Sequence, residues 1–208
     1  MAVVARSQND TRRASALPLP TVSTLRTPLP LVTVALAAVV LAVPAGQASV
    51  VLDRPATQAV SISSAQRLER DILRQVSVVR RQFGLRPLRI SAGLTAAAWS
   101  HSQEMGRLGY FSHYSADGTS AGSRIRRFYR SRGYRMWWVG ENLFWSSTSV
   151  DARLVMQTWL ASRSHRSQLL SRRYREQGVS AAHVPGAPGA FGGRDATIVT
   201  INFGARSR

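Results

Sequence analysis

Only four histidines and four glutamates occur in the chain: His101, His113, His165 and His183, with Glu69, Glu104, Glu141 and Glu176. Any acid–base or metal chemistry built on these side chains must draw on that short set. His113 follows a helical stretch between Ser112 and Tyr114. Glu141 sits between Gly140 and Asn142 in an otherwise apolar and aromatic run, where a carboxylate is costly to bury without a partner. His165 follows an amphipathic stretch ending at Trp159 and Leu160. Two imidazoles and one carboxylate are a ligand set for Zn²⁺ or another divalent metal with an open fourth position, and Glu141 is the candidate general base in such a site. The chain has no cysteine, which removes disulfides, thiolate ligands and a cysteine nucleophile together. It also lacks HExxH and GxSxG, so no familiar hydrolytic motif accompanies the cluster.

The elements that must carry these residues follow from periodicity. Leu68, Ile72, Val76, Val79 and Phe83 fall on one face of a helix over Ser64 to Phe83, with Ser63 or Ser64 as cap and Gly84 as stop. A second helix runs from Ser91 to Gly109, with Leu94, Ala98, His101, Met105 and Leu108 on one side. His101 and Glu104 lie three apart on it and read as structural support. Tyr110 to His113 is a loop and Asp117-Gly118 a turn. A third, strongly basic helix is expected over Ser123 to Arg132. Tyr134 to Phe144 reads as a strand through Gly140-Glu141-Asn142, and Val150 to Leu160 as a helix with Asp151 at its start. A helical turn over His165 to Leu170 precedes a strand over Gly178 to Val184. A Gly/Pro loop over Pro185 to Gly193 leads to a last, β-branched strand over Thr197 to Phe203. Helices followed by strands mixed with a helix predict a small antiparallel sheet covered by helices.

Ahead of this domain, residues 1–48 read as an export segment. An apolar run from Leu31 to Val43 is too short for the roughly 17–25 residues that span a bilayer and matches the apolar core of a signal peptide. Small residues before a cleavage point at Ala48 complete the pattern, and residues 49–63 read as a flexible lead-in. The expected location is therefore secreted or attached to the cell envelope, with no transmembrane span in the mature chain. All 28 basic residues are arginine, and the formal net charge is +18. The arginine clusters at 124–135 and 163–175 read first as solvated helix faces. Such a surface also attracts an anionic envelope surface. Nucleic acid is not expected as a partner, because no binding motif accompanies the charge.

Several motifs occur together and in order: Ala97-x-x-x-His101-Ser102-x-x-Met105, then Gly109-Tyr110-Phe111-Ser112-His113 with Asp117-Gly118, then Gly140-Glu141-Asn142-Leu143, then Trp159-x-x-Ser162-x-x-His165-Arg166-x-x-Leu169-Leu170, and Phe203-Gly204. In this the chain resembles the bacterial, cysteine-free branch of the CAP superfamily, the SCP domain of cysteine-rich secretory, antigen-five and pathogenesis-related proteins. The resemblance covers residues 65–204 and implies an α/β fold of the α+β type, an α-β-α sandwich over 64–206. It implies a central cleft with a His/Glu cluster at His113, Glu141 and His165, lined or braced by Asn142 and Ser162. The plant and animal pattern has a second glutamate where Ser162 stands and a histidine in the last strand region, where this chain has none. A three-residue cluster is therefore implied. The functional expectation is a secreted binding module whose cleft holds a divalent metal or a small ligand, and not primarily an enzyme. The alternative is a metal-assisted hydrolase acting on peptide or cell-wall material.

Overall fold

The computed structural model describes residues 63–208. The export segment, its cleavage point and all but the last residue of the lead-in lie outside the described residues. Helix α1 (Ser64–Gln82) starts in a reciprocal cap: the Gln66 amide N–H donates to Ser63 Oγ at 3.2 Å and Ser63 N donates to Gln66 Oε1 at 3.0 Å. That arrangement satisfies two of the orphan donors of a helix start. Its stripe buries Ile72, Val76 and Val79 as expected. Helix α2 (Ala92–Leu108) stops at Gly109, whose φ of 72° supplies the left-handed C-terminal turn.

Helix α3 (Ala121–Phe128) begins at the Ser120 cap and ends four residues before the expected Arg132. Tertiary demand on Tyr129 ends it. The Tyr129 ring is buried, its hydroxyl donates to Glu176 Oε2, and its carbonyl accepts from Trp137 Nε1 at 2.9 Å. A carbonyl bonded to an indole from the next strand is not available to continue a helix. Strand β2 (Met136–Ser146) leads to α4 (Ala152–Ala161), capped by Asp151 Oδ1 accepting from Leu154 N at 2.8 Å, and then to α5 (Arg163–Leu169). Strands β3 (Glu176–Ala187) and β4 (Arg194–Ser207) are longer than their β-branched cores alone predict. A single 3₁₀ turn, Gly189–Phe191, occupies the Gly/Pro loop.

With the two-residue β1 (Arg89–Ile90), the strands form one sheet in the order β1-β3-β4-β2. The β1/β3 pair is parallel; β3/β4 and β4/β2 are antiparallel. One face packs Leu143, Trp145 and Ile198 with Met105 of α2, and Val139 joins Leu94, Ala97 and Ile125 between α2 and α3. The other face packs Phe144, Val199, Ile201 and Phe203 with Ile72 and Val76 of α1 and Val155 and Trp159 of α4. The α-β-α sandwich is thus present, with β2 as an outer strand. No helix among the described residues is long and apolar enough to cross a membrane.

Candidate functional site

Side chains alternate along β2, so Glu141 and Asn142 face opposite layers. Glu141 points to the α2/α3 layer, opposite Asn202 of β4, and its side chain is 2% exposed. Three groups satisfy it. His113 Nδ1 donates to Oε1 at 2.9 Å, and Arg124 Nη2 donates to Oε2 at 2.6 Å. With its amide nitrogen turned toward the carboxylate, Asn202 donates to Oε2 at 3.1 Å and its oxygen accepts from Ala98 N at 3.0 Å. A buried carboxylate this fully bonded answers the desolvation problem posed by its apolar strand. It has no edge facing water, so Glu141 is not placed to act as the general base.

The member of the pair that meets solvent is His113. Its ring is 45% exposed while its partner is buried. A carboxylate only accepts, so Nδ1 carries the proton toward Glu141, and Nε2 is the ring nitrogen left without a partner among the described residues. The loop bearing His113 is held from two directions. His101 of α2, fully buried, donates from Nε2 to Ser112 O at 2.8 Å, and Arg124 Nη1 donates to His113 O at 3.2 Å and to Ser115 Oγ at 3.3 Å. Glu104 accepts from Ala116 N and Ser115 Oγ, both at 3.1 Å. Burial would raise the Glu104 pKa, but these hydrogen bonds outweigh it and hold the carboxyl below its ordinary value.

His165 approaches from the other layer. It lies in α5, which α1 holds in place: the buried Arg80 donates from Nη1 to Leu169 O at 2.7 Å and to Ser171 O at 3.1 Å, at the C-terminal end of that helix. Burial, and next the His113 imidazole, push the His165 pKa down. The buried His165 Nδ1 has no hydrogen-bond partner among the described residues, nor does Asn142 Oδ1. Asn142, expected to line or brace the cleft, is turned away from Glu141 and donates from Nδ2 to His165 O at 3.0 Å. It braces α5. Ser162 is the cap of α5, accepting from His165 N at a long 3.5 Å and sharing a hydrogen bond with Ser164. His183 is exposed on β3, apart from this arrangement.

These residues do not fit the three-ligand metal centre expected at His113, Glu141 and His165. One carboxylate oxygen is bonded to a guanidinium, a fixed cation where a dication would have to sit, and the other is taken by the proton on His113 Nδ1. Among the described residues no three His, Asp or Glu side chains gather as a cation site.

Arg124 is the residue of this cluster that the sequence does not reveal. Its place in a basic cluster suggests a solvated face, yet it is 3% exposed. The signal is indirect: a lone carboxylate in an apolar strand calls for a buried cation. Nothing in the spacing tells which of the neighbouring arginines turns inward.

A family model matches this chain over residues 73–203, more than half of its length, and that model is CAP, the cysteine-rich secretory protein family. The chain belongs to the CAP family. Among curated proteins, the membrane protein YlbC of Bacillus subtilis is 31% identical over 111 residues, covering 53% of this chain and 30% of that protein. An extracellular SCP-domain protein of Bacillus anthracis shares the fold at a TM-score of 0.52 and 24% identity, over 69% of this chain and 41% of that one. An outer surface protein of Borrelia burgdorferi gives 0.48 at 19% identity, over 65% of this chain and 90% of that one. This CAP chain thus spans less than half the length of both the Bacillus subtilis protein and the Bacillus anthracis structure.

Two imidazoles, His101 buried and His165 partly so, make the domain acid-sensitive. Burial is the main cause lowering the pKa of both His101 and His165. The unfolded chain takes up protons at the ordinary imidazole value of 6.5, whereas the folded chain does so only at lower pH. Their contribution to stability is therefore complete above that value and is lost as pH falls below it. Thermal melts are expected to shift down steadily from pH 7.5 to 5.5. His101→Gln should be less stable at pH 7.5 and show a shallower slope. A flat wild-type profile would contradict the burial of neutral imidazoles.

Proposed function

We propose that this CAP domain is an exported binding module that holds a small polar ligand from the cell envelope at the rim formed by His113 and His165, without a divalent metal. The observation that carries it is the asymmetry of the His113–Glu141 pair. The carboxylate is buried and fully bonded, while the imidazole it orients is half exposed, with Nε2 free of any partner among the described residues. A fixed ring with one nitrogen held from behind and the other open is a preorganised hydrogen-bonding group. Export is supported by the leader pattern at 1–48 and by likeness to an SCP-domain protein described as extracellular.

Histidine-selective NMR on the full chain, titrated with soluble peptide and glycan fragments of cell wall, tests this. The His113 and His165 signals should move together, and His113→Ala should weaken binding by about tenfold, the worth of one good hydrogen bond to an oriented ring. Neither ring responding to any fragment, or a response unchanged by His113→Ala, would retire the reading.

The same pair favours one second reading. An imidazole oriented by a carboxylate is equipped for general acid–base work, so His113, in place of Glu141 or a metal, would be the base of a hydrolase. Cleavage products accumulating from those fragments, and absent with His113→Ala, would convert the binder into that enzyme.

A further inference from the structure

Between Arg124 and Trp138 the chain has six arginines and no acidic residue. Arg124 is internal; Arg126, Arg127, Arg130, Arg132 and Arg135 are all exposed, and none of these five forms an ion pair among the described residues. The fold concentrates them. Met136 pairs with Ser207 and Trp137 with Arg206, which brings the end of β4, with Arg206 and Arg208, alongside the start of β2. Arg173, from the segment before β3, lies over the Trp138 ring at 4.6 Å. A solvated arginine face accounts for charge alone, but here charge is mixed with large apolar groups. Met136 is 56% exposed, Trp138 45% and Phe128 40%. Met136 and Trp138 sit two apart at one end of the outer strand, on the face away from α3, and each leaves apolar surface in water.

We propose that this end of the domain is a docking surface for anionic phospholipid bilayers, with Met136 and Trp138 entering the interfacial layer and the surrounding arginines meeting the headgroups. Exposed tryptophan with flanking arginine suits the membrane interface, where an amphipathic ring gains by burial while guanidinium groups stay at the phosphates. Single-stranded nucleic acid also takes arginine with aromatic rings, by stacking bases on the ring faces. Here Arg126 sits over Trp137 at 4.7 Å and Arg173 over Trp138, so a guanidinium already covers a face of each indole. Met136 offers nothing to a base or to a charged polymer. The lipid assignment shares no residue with the His113 rim and stands or falls independently of the ligand reading.

The test is vesicle flotation of the full chain with phosphatidylcholine alone and with added phosphatidylglycerol, comparing wild type with Met136→Ser/Trp138→Ser and with Arg132→Ser/Arg135→Ser. The apolar stretch at 31–43 is present in all three proteins, so differences between them report the β2 end. All four positions are exposed, and equal melting temperatures would show that folding is intact. Wild type should prefer phosphatidylglycerol vesicles. Removing two arginines should weaken that binding by about thirtyfold, and removing the apolar pair by about tenfold or more. Brominated lipid should quench wild-type tryptophan fluorescence more than that of Trp138→Phe. Equal binding by all three proteins would overturn the proposal. So would loss of binding only in the arginine variant, with inorganic polyphosphate or a single-stranded oligonucleotide competing, because that result assigns the surface to an anionic polymer.

Discussion

Arg124→Ala is expected to cost about 3–5 kcal/mol, the typical result of removing one partner of a buried ion pair, and to lower the melting temperature by roughly 10 °C or more. The substitution leaves Glu141 buried with a charge that only the His113 and Asn202 hydrogen bonds offset. It also releases the 113–115 loop, because the same guanidinium donates to His113 O and Ser115 Oγ. A buried pair need not stabilise relative to apolar side chains of similar size. The double variant Arg124→Met/Glu141→Leu should therefore melt well above Arg124→Ala, with a gap of about 2 kcal/mol or more. The deficit that remains reflects the unpaired Asn202 amide. Denaturant titration of the singles and the double gives the coupling directly. A double variant whose loss equals the sum of the two singles would show that the pair does not act as a unit.

Trp159→Ala should be comparably damaging, at about 3–5 kcal/mol for deleting a fully buried indole. The side chain has two roles that can be separated. Its rings fill the layer between α1, α4 and the sheet. Its Nε1 donates at 2.9 Å to Leu143 O, a carbonyl of the outer strand β2. Outer strands leave a row of backbone groups without partners, and a covering helix that supplies a donor is one way to satisfy them. Trp159→Phe keeps most of the volume and loses the donor, so its expected cost is smaller, about 1–3 kcal/mol. Urea unfolding of both variants decides the division. If Trp159→Phe is as damaging as Trp159→Ala, the hydrogen bond to β2 carries the stability and the packing does not.

The elements are legible in the sequence where a local rule governs them. The α1 stripe with its Ser63 cap, the Gly109 stop and the Asp151 cap each rest on contacts within a turn or two of chain. The motif order identifies the family because it reflects the whole layout of the domain. The elements that escape such a reading are those ended or extended by distant partners. Helix α3 stops early because the Tyr129 carbonyl and hydroxyl are claimed by Trp137 and Glu176. Arg89 and Ile90 form a strand only because Glu176 and Gln177 run beside them.

In the site, His113, Glu141 and His165 stand out as candidates from composition and motif alone, since so few histidines and glutamates are present. That Glu141 needs a partner is also legible, because most of β2 around it is apolar or aromatic. Tertiary structure decided who that partner is and which ring is left to meet solvent. Arg124 turns inward to neutralise Glu141, the alternation of β2 sends Asn142 to the opposite layer, and His113 remains as the half-exposed ring. Local pattern records which residues must be buried or paired. Which charge meets which depends on long-range packing that brings α3 over β2, and no spacing along the chain encodes that.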